Sequence, residues 1–240
     1  MSDLRYKTIL LKLSGEALKA DKSHGFERET IIHLVSQIKD IHALGVRIGL
    51  VIGGGNFFRG AQNNADWLPR TNADQIGMMA TVMNGVALQS AFEAHGVPAT
   101  LFSAFAVEGI ANRYHYKTAM SKLDEGHVLI FAGGTGHPFF STDTVGALRA
   151  REIGAEVMLK ATKVNGVYTA DPVADPDAKR YTKMTYMELL EKNLRVMDGT
   201  AVSFCREYKI PIVVFDVNLP GQLQQAVLGK DVGTKIAESL

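Results

Sequence analysis

The chain has little of what would mark a secreted, membrane-spanning or polyanion-binding protein. Its 240 residues include one cysteine, Cys205, and one tryptophan, Trp67. A lone cysteine excludes an internal disulfide and a cysteine-pair metal site, and it fits a reducing compartment. An excess of one charge is missing too: 26 basic residues face 25 acidic ones, for a net +1. That balance argues against nucleic acid or an anionic membrane as the main partner. No apolar run reaches the roughly 18 residues of a membrane span, and residues 1–12 lack the apolar stretch of a signal peptide. The expected location is cytoplasmic. No G-x-x-x-x-G-K-[ST] segment occurs, so this is not a P-loop NTPase. The seven histidines show no ligand spacing, and no protein-held metal is expected.

What is present is a packed globular chain with 46% hydrophobic residues. Short runs rich in Ile, Val and Leu predict strands over Thr8–Leu13, Val46–Ile52, Val97–Phe102, His127–Ala132, Glu156–Ala161 and Pro211–Asp216. They barely alternate in polarity, as strands buried on both faces do. Helical spacing predicts helices over Glu27–Leu44, Asn72–His95, Ser141–Ile153, Asp198–Lys209 and Pro220–Leu228. Gly45, Gly96 and Gly154 are the expected stops. Strand and helix in alternation predict an α/β fold: a three-layer αβα sandwich with a mainly parallel central sheet. Asp171–Asp177, with two prolines and three aspartates, is the strongest loop signal.

Ligands of open α/β sheets gather at the carboxyl ends of strands. Four segments fall there. Lys12-Leu13-Ser14-Gly15 ends the first strand; its lysine can reach a phosphoryl group, although alone it is only a solvated strand end. Gly53-Gly54-Gly55-Asn56 ends the second; such glycines need a tight turn or an anion to justify them. Arg59, just beyond, would add a charge-assisted contact. Gly133-Gly134-Thr135-Gly136-His137-Pro138-Phe139-Phe140-Ser141-Thr142-Asp143 combines flexible backbone, hydroxyls and aromatics at a helix start. Its aromatics either wall a base or fill core. Lys160-Ala161-Thr162, with Tyr168 and Asp171 downstream, ends another strand; Tyr168 offers a surface for an adenine, whereas Asp171-Pro172 reads equally as a turn. Asp74 fits a ribose contact or a helix-start acid. Asp198 is explained by a helix cap. Met78, Met79 and Met83 read as core or subunit contacts.

Taken in order, these segments resemble the bacterial UMP kinase (uridylate kinase) branch of the amino acid kinase family. The resemblance rests on Leu11–Leu18, Val51–Asn56, Phe58-Arg59-Gly60, Ala80–Gly85, Gly134–Gly136 with Pro138-Phe139-Phe140, Leu159–Val164 and Tyr168–Pro172. It implies a single domain over residues 1–240, with a nucleoside-monophosphate lobe at roughly 1–155 and an ATP lobe at roughly 156–240. It implies phosphoryl transfer from Mg²⁺-bound ATP to UMP, within pyrimidine nucleotide synthesis. Lys12, Arg59, Asp143 and Lys160 would be catalytic, with Asp143 orienting a lysine. Lys12, Leu13, Ser14, Gly15, Gly55, Arg59, Thr162, Tyr168 and Asp171 would hold ATP. Gly54, Asp74, Thr135, Gly136, His137, Pro138, Phe139, Phe140, Ser141 and Thr142 would hold UMP. The family further implies a homohexamer, a trimer of dimers, with UTP as inhibitor and GTP as activator. Departures from its pattern occur at Ala20–Gly25, Gln89, Ser90, Glu93, His137 and Asn165. Two alternatives stay open: a family kinase acting on a carboxylate, carbamate or isopentenyl phosphate, and a non-catalytic nucleotide-binding regulator.

Overall fold

A computed structural model describes residues 4–58, 67–194 and 196–238. Nine strands form one sheet: β1 (Thr8–Leu13), β2 (Arg47–Ile52), β3 (Ala99–Ser103), β4 (Asn112–Arg113), β5 (Val128–Ala132), β6 (Val157–Thr162), β9 (Lys183–Thr185), β10 (Ile212–Asp216) and β11 (Thr234–Ala237). Their order is β4-β3-β5-β2-β1-β6-β10-β11-β9. A separate hairpin pairs β7 (Val167–Tyr168) with β8 (Arg180–Tyr181). Every neighbouring pair in the large sheet is parallel except β10 with β11. The expected αβα architecture is therefore what forms.

Burial explains the lack of alternation: all six residues of β1 are buried. Period-two geometry still separates them. Ile9, Leu11 and Leu13 pack in one core with α1 (Arg28–Ala43), α2 (Arg70–Ala94) and α7 (Gln222–Val227). Leu10 packs in the other, under α3 (Tyr116–Asp124), α4 (Thr142–Glu152), α5 (Tyr186–Glu191) and α6 (Gly199–Glu207). Lys12, two residues after Leu10, continues onto the α4 side. In β6, Met158 belongs to the same core and Lys160 follows it by the same step. Strand register then sets Lys12 directly beside Lys160.

The six strands and five helices read from the sequence all form, with ends displaced by up to two residues. Gly45, Gly96 and Gly154 terminate their helices at φ of 89°, 73° and 67°, a left-handed geometry that glycine adopts without Cβ penalty. Helices α3 and α5 and strands β4, β7, β8, β9 and β11 were not anticipated. They are short, and isolated short segments carry little periodic signal.

The chain leaves β1 toward β2 on one side and β6 on the other. That makes β1 the point where strand order diverges, and the crevice above it is where such sheets bind ligands.

Candidate functional site

Above this crevice a short 3₁₀ turn (Gly15–Leu18) follows β1 and meets the glycine loop after β2. A Cβ on Gly15 would lie 2.5 Å from the Gly53 carbonyl oxygen and 2.8 Å from the Gly55 nitrogen. One on Gly54 would lie 2.6 Å from the Gly77 carbonyl oxygen, on α2. None of Gly53, Gly54 and Gly55 has positive φ. Close backbone approach accounts for glycine at Gly15 and Gly54, and the tight turn expected here also forms, with Phe57 N and Phe58 N donating to the Gly54 carbonyl at 3.0 and 3.1 Å. Among the described residues, the Gly54 and Gly55 N–H groups have no hydrogen-bond acceptor.

A buried amide clasp fixes the loop. Asn84 Nδ2, on α2, donates to the Gly53 carbonyl at 2.6 Å and to Asn56 Oδ1 at 2.8 Å. Asn56 Nδ2 returns a bond to Asn84 Oδ1 at 2.8 Å and donates to the Gly25 carbonyl at 3.0 Å. Sequence reasoning gave neither asparagine a mechanical role. A polar residue at an inward helical position was the available signal.

Lys12, Asp143 and Lys160 meet at the centre, each more than 90% buried. Lys160 Nζ donates to Asp143 Oδ2 at 2.5 Å. Lys12 Nζ lies 2.8 Å from Oδ1. At that separation Lys12 and the carboxylate form a close ion pair. Asp143 thus orients two lysines, not the single one expected. Burial pushes its carboxyl up, but the two ammonium groups outweigh burial and hold it below the usual carboxylate value. For Lys160, burial pushes the ammonium down, and the neighbouring Lys12 charge adds to this. Attraction to Asp143 opposes both without cancelling them. With both lysines protonated, the cluster carries an uncompensated positive charge.

The start of α4 is anchored from two directions. Ser141 caps it, accepting from the N–H groups of Asp143 and Thr144 at 3.0 and 3.3 Å. Asp198 caps α6 by accepting from Ala201 N at 2.9 Å. It also accepts from Ser141 Oγ and, at 3.1 Å, from Thr144 Oγ1. The helix-cap reading of Asp198 holds, and the residue ties α6 to α4 as well.

Beside the cluster, a cavity of about 140 Å³ is lined by Gly54, Asp74, Met78, His137, Phe140 and Thr142, among others. Half of the ten expected acceptor residues line it: Gly54, Asp74, His137, Phe140 and Thr142. Asp74 accepts from Arg70 Nε at 2.8 Å and from the Phe139 N–H at 2.8 Å. Phe139 sits at φ 70°, a conformation costly for a bulky residue. Phe139 and Phe140 are 66% and 54% exposed, so the core-filling alternative fails for both. Thr135 does not line this cavity; its hydroxyl bonds within the loop to His137, accepting from N and donating to O. Gly136 and Pro138 shape the loop without lining the cavity. Met78 lines it, while Met79 and Met83 are exposed; a core role is corrected for all three.

A second cavity, of about 570 Å³, is lined by Thr162, Tyr168 and Asp171, as the sequence suggested. Asn193, Leu194 and Val196, from the α5–α6 connection, complete it and were not foreseen. Its size suits a nucleoside. The Thr162 hydroxyl accepts from Val164 N and donates to Val164 O. Asp171 accepts from Val173 N at 2.9 Å, so its turn role is real too. Ser14 caps its 3₁₀ turn through Glu16 N at 3.3 Å, and Leu13 is buried. Arg59 lies outside the described residues.

The pattern of the amino acid kinase family matches residues 7–216. A UMP kinase from Bacillus anthracis is 34% identical, at a TM-score of 0.94, over 98% of this chain and 97% of its own. A UMP kinase from Ureaplasma parvum is 33% identical, at a TM-score of 0.91, over 98% of this chain and 100% of its own. A uridylate kinase from Archaeoglobus fulgidus is 28% identical, at a TM-score of 0.75, over 95% of this chain and 99% of its own. With the family pattern matched along most of its length and two bacterial enzymes superposing over nearly all of it, this chain belongs to the amino acid kinase family, in its UMP kinase branch.

Proposed function

We propose that the protein transfers the γ-phosphoryl group of ATP to UMP, giving UDP and ADP for pyrimidine nucleotide synthesis. The observation that carries this reading is the buried Lys12–Asp143–Lys160 cluster with two cavities beside it. Both substrates are anionic, and their phosphates repel. A net positive cluster offsets that repulsion at the point of transfer, where phosphoryl chemistry depends mainly on positioning and charge.

In this reading an oxygen of the UMP phosphate attacks the γ-phosphorus, and the bond to the ADP oxygen breaks. The attacking oxygen is already ionised, so no general base is required. Lys12 and Lys160 face the transferring group, and Asp143 sits between the two ammoniums and holds them in place. Gly54 N–H faces the acceptor, while Gly55, Gly15 and Ser14 face the donor. Thr142, at the N-terminus of α4, adds a further donor. Asp74 would exchange its Arg70 or Phe139 partner for ribose hydroxyls. The lobe of roughly 1–155 carries the UMP pocket and lends Ser14, Gly15 and Gly55 to the ATP phosphates, while the lobe of roughly 156–240 carries the adenosine pocket.

The side chains do not fit a resident metal. Asp143 is engaged by two ammoniums, and no three His, Cys, Asp or Glu residues converge among the described residues. Mg²⁺ would then enter with ATP and would be held by phosphate oxygens and water.

Self-association is supported by α2. Ile76, Met79, Met83 and Val86 recur at helical spacing on its outer face, all at least 40% exposed. Such a stripe favours burial against a second copy, as a homohexamer built from dimers would provide. UTP, sharing uracil and ribose with UMP, would inhibit at the acceptor cavity, and GTP would act elsewhere. Among the described residues no helix is long and apolar enough to cross a membrane, in keeping with a cytoplasmic enzyme.

The test is ADP release from Mg-ATP with UMP, CMP, dTMP or acetylglutamate as acceptor. Strong preference for UMP is expected, with turnover lost by orders of magnitude in Lys12→Ala. Tight UMP binding without turnover would favour a regulator instead, and near-normal turnover in Lys12→Ala would sink the role given to Lys12.

A further inference from the structure

A third cavity, of about 240 Å³, lies away from the crevice and has a different electrostatic character. It is lined by Tyr6, Thr182, Lys183, Val213, Lys230 and Lys235, with the 229–233 connection around them. Tyr6 precedes β1, whereas Lys12 lies near its far end. The sheet face differs as well. Met184 and Ile236 pack in the α4-side core, so Lys183 and Lys235, one residue earlier on each strand, lie on the opposite face with Val213.

Register makes Lys183 and Lys235 direct partners on adjacent parallel strands, with backbones about 4.8 Å apart. Like charges so placed destabilise a sheet unless something lies between them. Among the described residues neither lysine, nor Lys230, has an ion-pair partner. A fourth cation adjoins: the Arg5 side chain lies over Gly229, where a Cβ would meet its Cγ at 2.6 Å. Asp231 is the one acid on the lining, and it pairs with none of these cations. Three lysines against one carboxylate on the lining, with Arg5 adjoining, is a marked local excess in a chain of net charge +1.

The backbone adds donors. Among the described residues the N–H groups of Asp231, Val232 and Gly233 have no backbone acceptor. Gly233 is locked in place, because a Cβ there would fall 1.9 Å from the Val214 carbonyl oxygen. The loop is thus held against β10 while its N–H groups remain available.

We propose that this cavity is a second anion site, which takes a small phosphate-type anion carrying two or more negative charges. Lys183 and Lys235 bridge it, and Lys230 closes over it. The site is independent of the transfer chemistry and does not rest on UMP being the acceptor.

The experiment is a calorimetric titration with inorganic phosphate and with pyrophosphate, without magnesium, at low and at high salt. Wild type, Lys12→Ala, Lys183→Gln/Lys235→Gln and Lys230→Gln are compared. Expected is a pyrophosphate site that persists in Lys12→Ala, weakens at least tenfold in the double variant and weakens with salt. Turnover of the double variant should match wild type, which also shows that it folds. Lys230→Gln, which alters a loop rather than a strand, should weaken the same site by a smaller factor. Wild-type stoichiometry and affinity in the double variant would overturn the proposal. So would a wild type whose pyrophosphate binding disappears entirely with Lys12.

Discussion

Replacing Asp143 with asparagine keeps the side-chain volume and removes the one negative charge between two buried ammoniums. In the parent, Asp143 lies 2.8 Å from Lys12 Nζ and 2.5 Å from Lys160 Nζ. Loss of one partner of a buried ion pair costs about 3–5 kcal/mol, because the remaining charge is left uncompensated. For a chain of this size each kcal/mol corresponds to about 2–4 °C in Tm, so Asp143→Asn should melt about 6–20 °C lower at neutral pH. Burial already weakens the Lys160 ammonium. Without Asp143 it will shed its proton more readily, so the deficit should shrink as pH rises. Adding Lys160→Met should restore part of the lost stability by removing one stranded charge. Turnover should fall by about 10²-fold or more, since misplaced reacting groups cost that much. Calorimetry between pH 6 and 9 and the ADP-release assay measure both effects. A variant as stable as its parent throughout that range, with turnover within threefold, would refute the coupling argued here.

Three further outcomes follow from the same geometry. The Asp143 carboxyl is held low, so its ion pairs contribute fully above the ordinary carboxylate range and lose their effect as pH falls through its folded value. Urea midpoints should therefore drop more steeply between pH 5 and 3 in the parent than in Asp143→Asn. Gly15→Ala places a Cβ against backbone atoms that cannot step aside; it should cost about 1–3 kcal/mol and more than tenfold in turnover, read from denaturation and the same assay. Asn84→Ala removes three of the hydrogen bonds around Gly53 and Asn56 and should cost about 1–3 kcal/mol for each buried group left unpaired, measured by denaturation; a change under 0.5 kcal/mol would show that the clasp is not needed to hold the glycine loop.

Much of the candidate site could be read along the chain, because its parts end strands. Lys12, Gly53–Gly55, Gly134–Asp143 and Lys160–Thr162 each follow an apolar run, and parallel strands deliver such ends to one edge. Asp171 shows the limit of this: a turn explains it and the cavity includes it, and sequence cannot choose between the two. Asn84 was overlooked because its partners are a backbone carbonyl 31 residues away and a second asparagine. The α5–α6 wall of the large cavity was overlooked because α5 has only six residues, too few for helical periodicity to register.

Apolar runs, glycine stops and alternating elements determined the αβα class by themselves, because burial and backbone freedom are local properties of residue type. Only the tertiary structure decided that one carboxylate serves two lysines. That follows from the register of β1 against β6, a pairing of residues 148 positions apart. Tertiary packing likewise decided why glycine stands at Gly54, in the middle of the triple. The bare backbone is needed because β1's loop and α2 both close on it, and contacts so distant in sequence leave no local pattern.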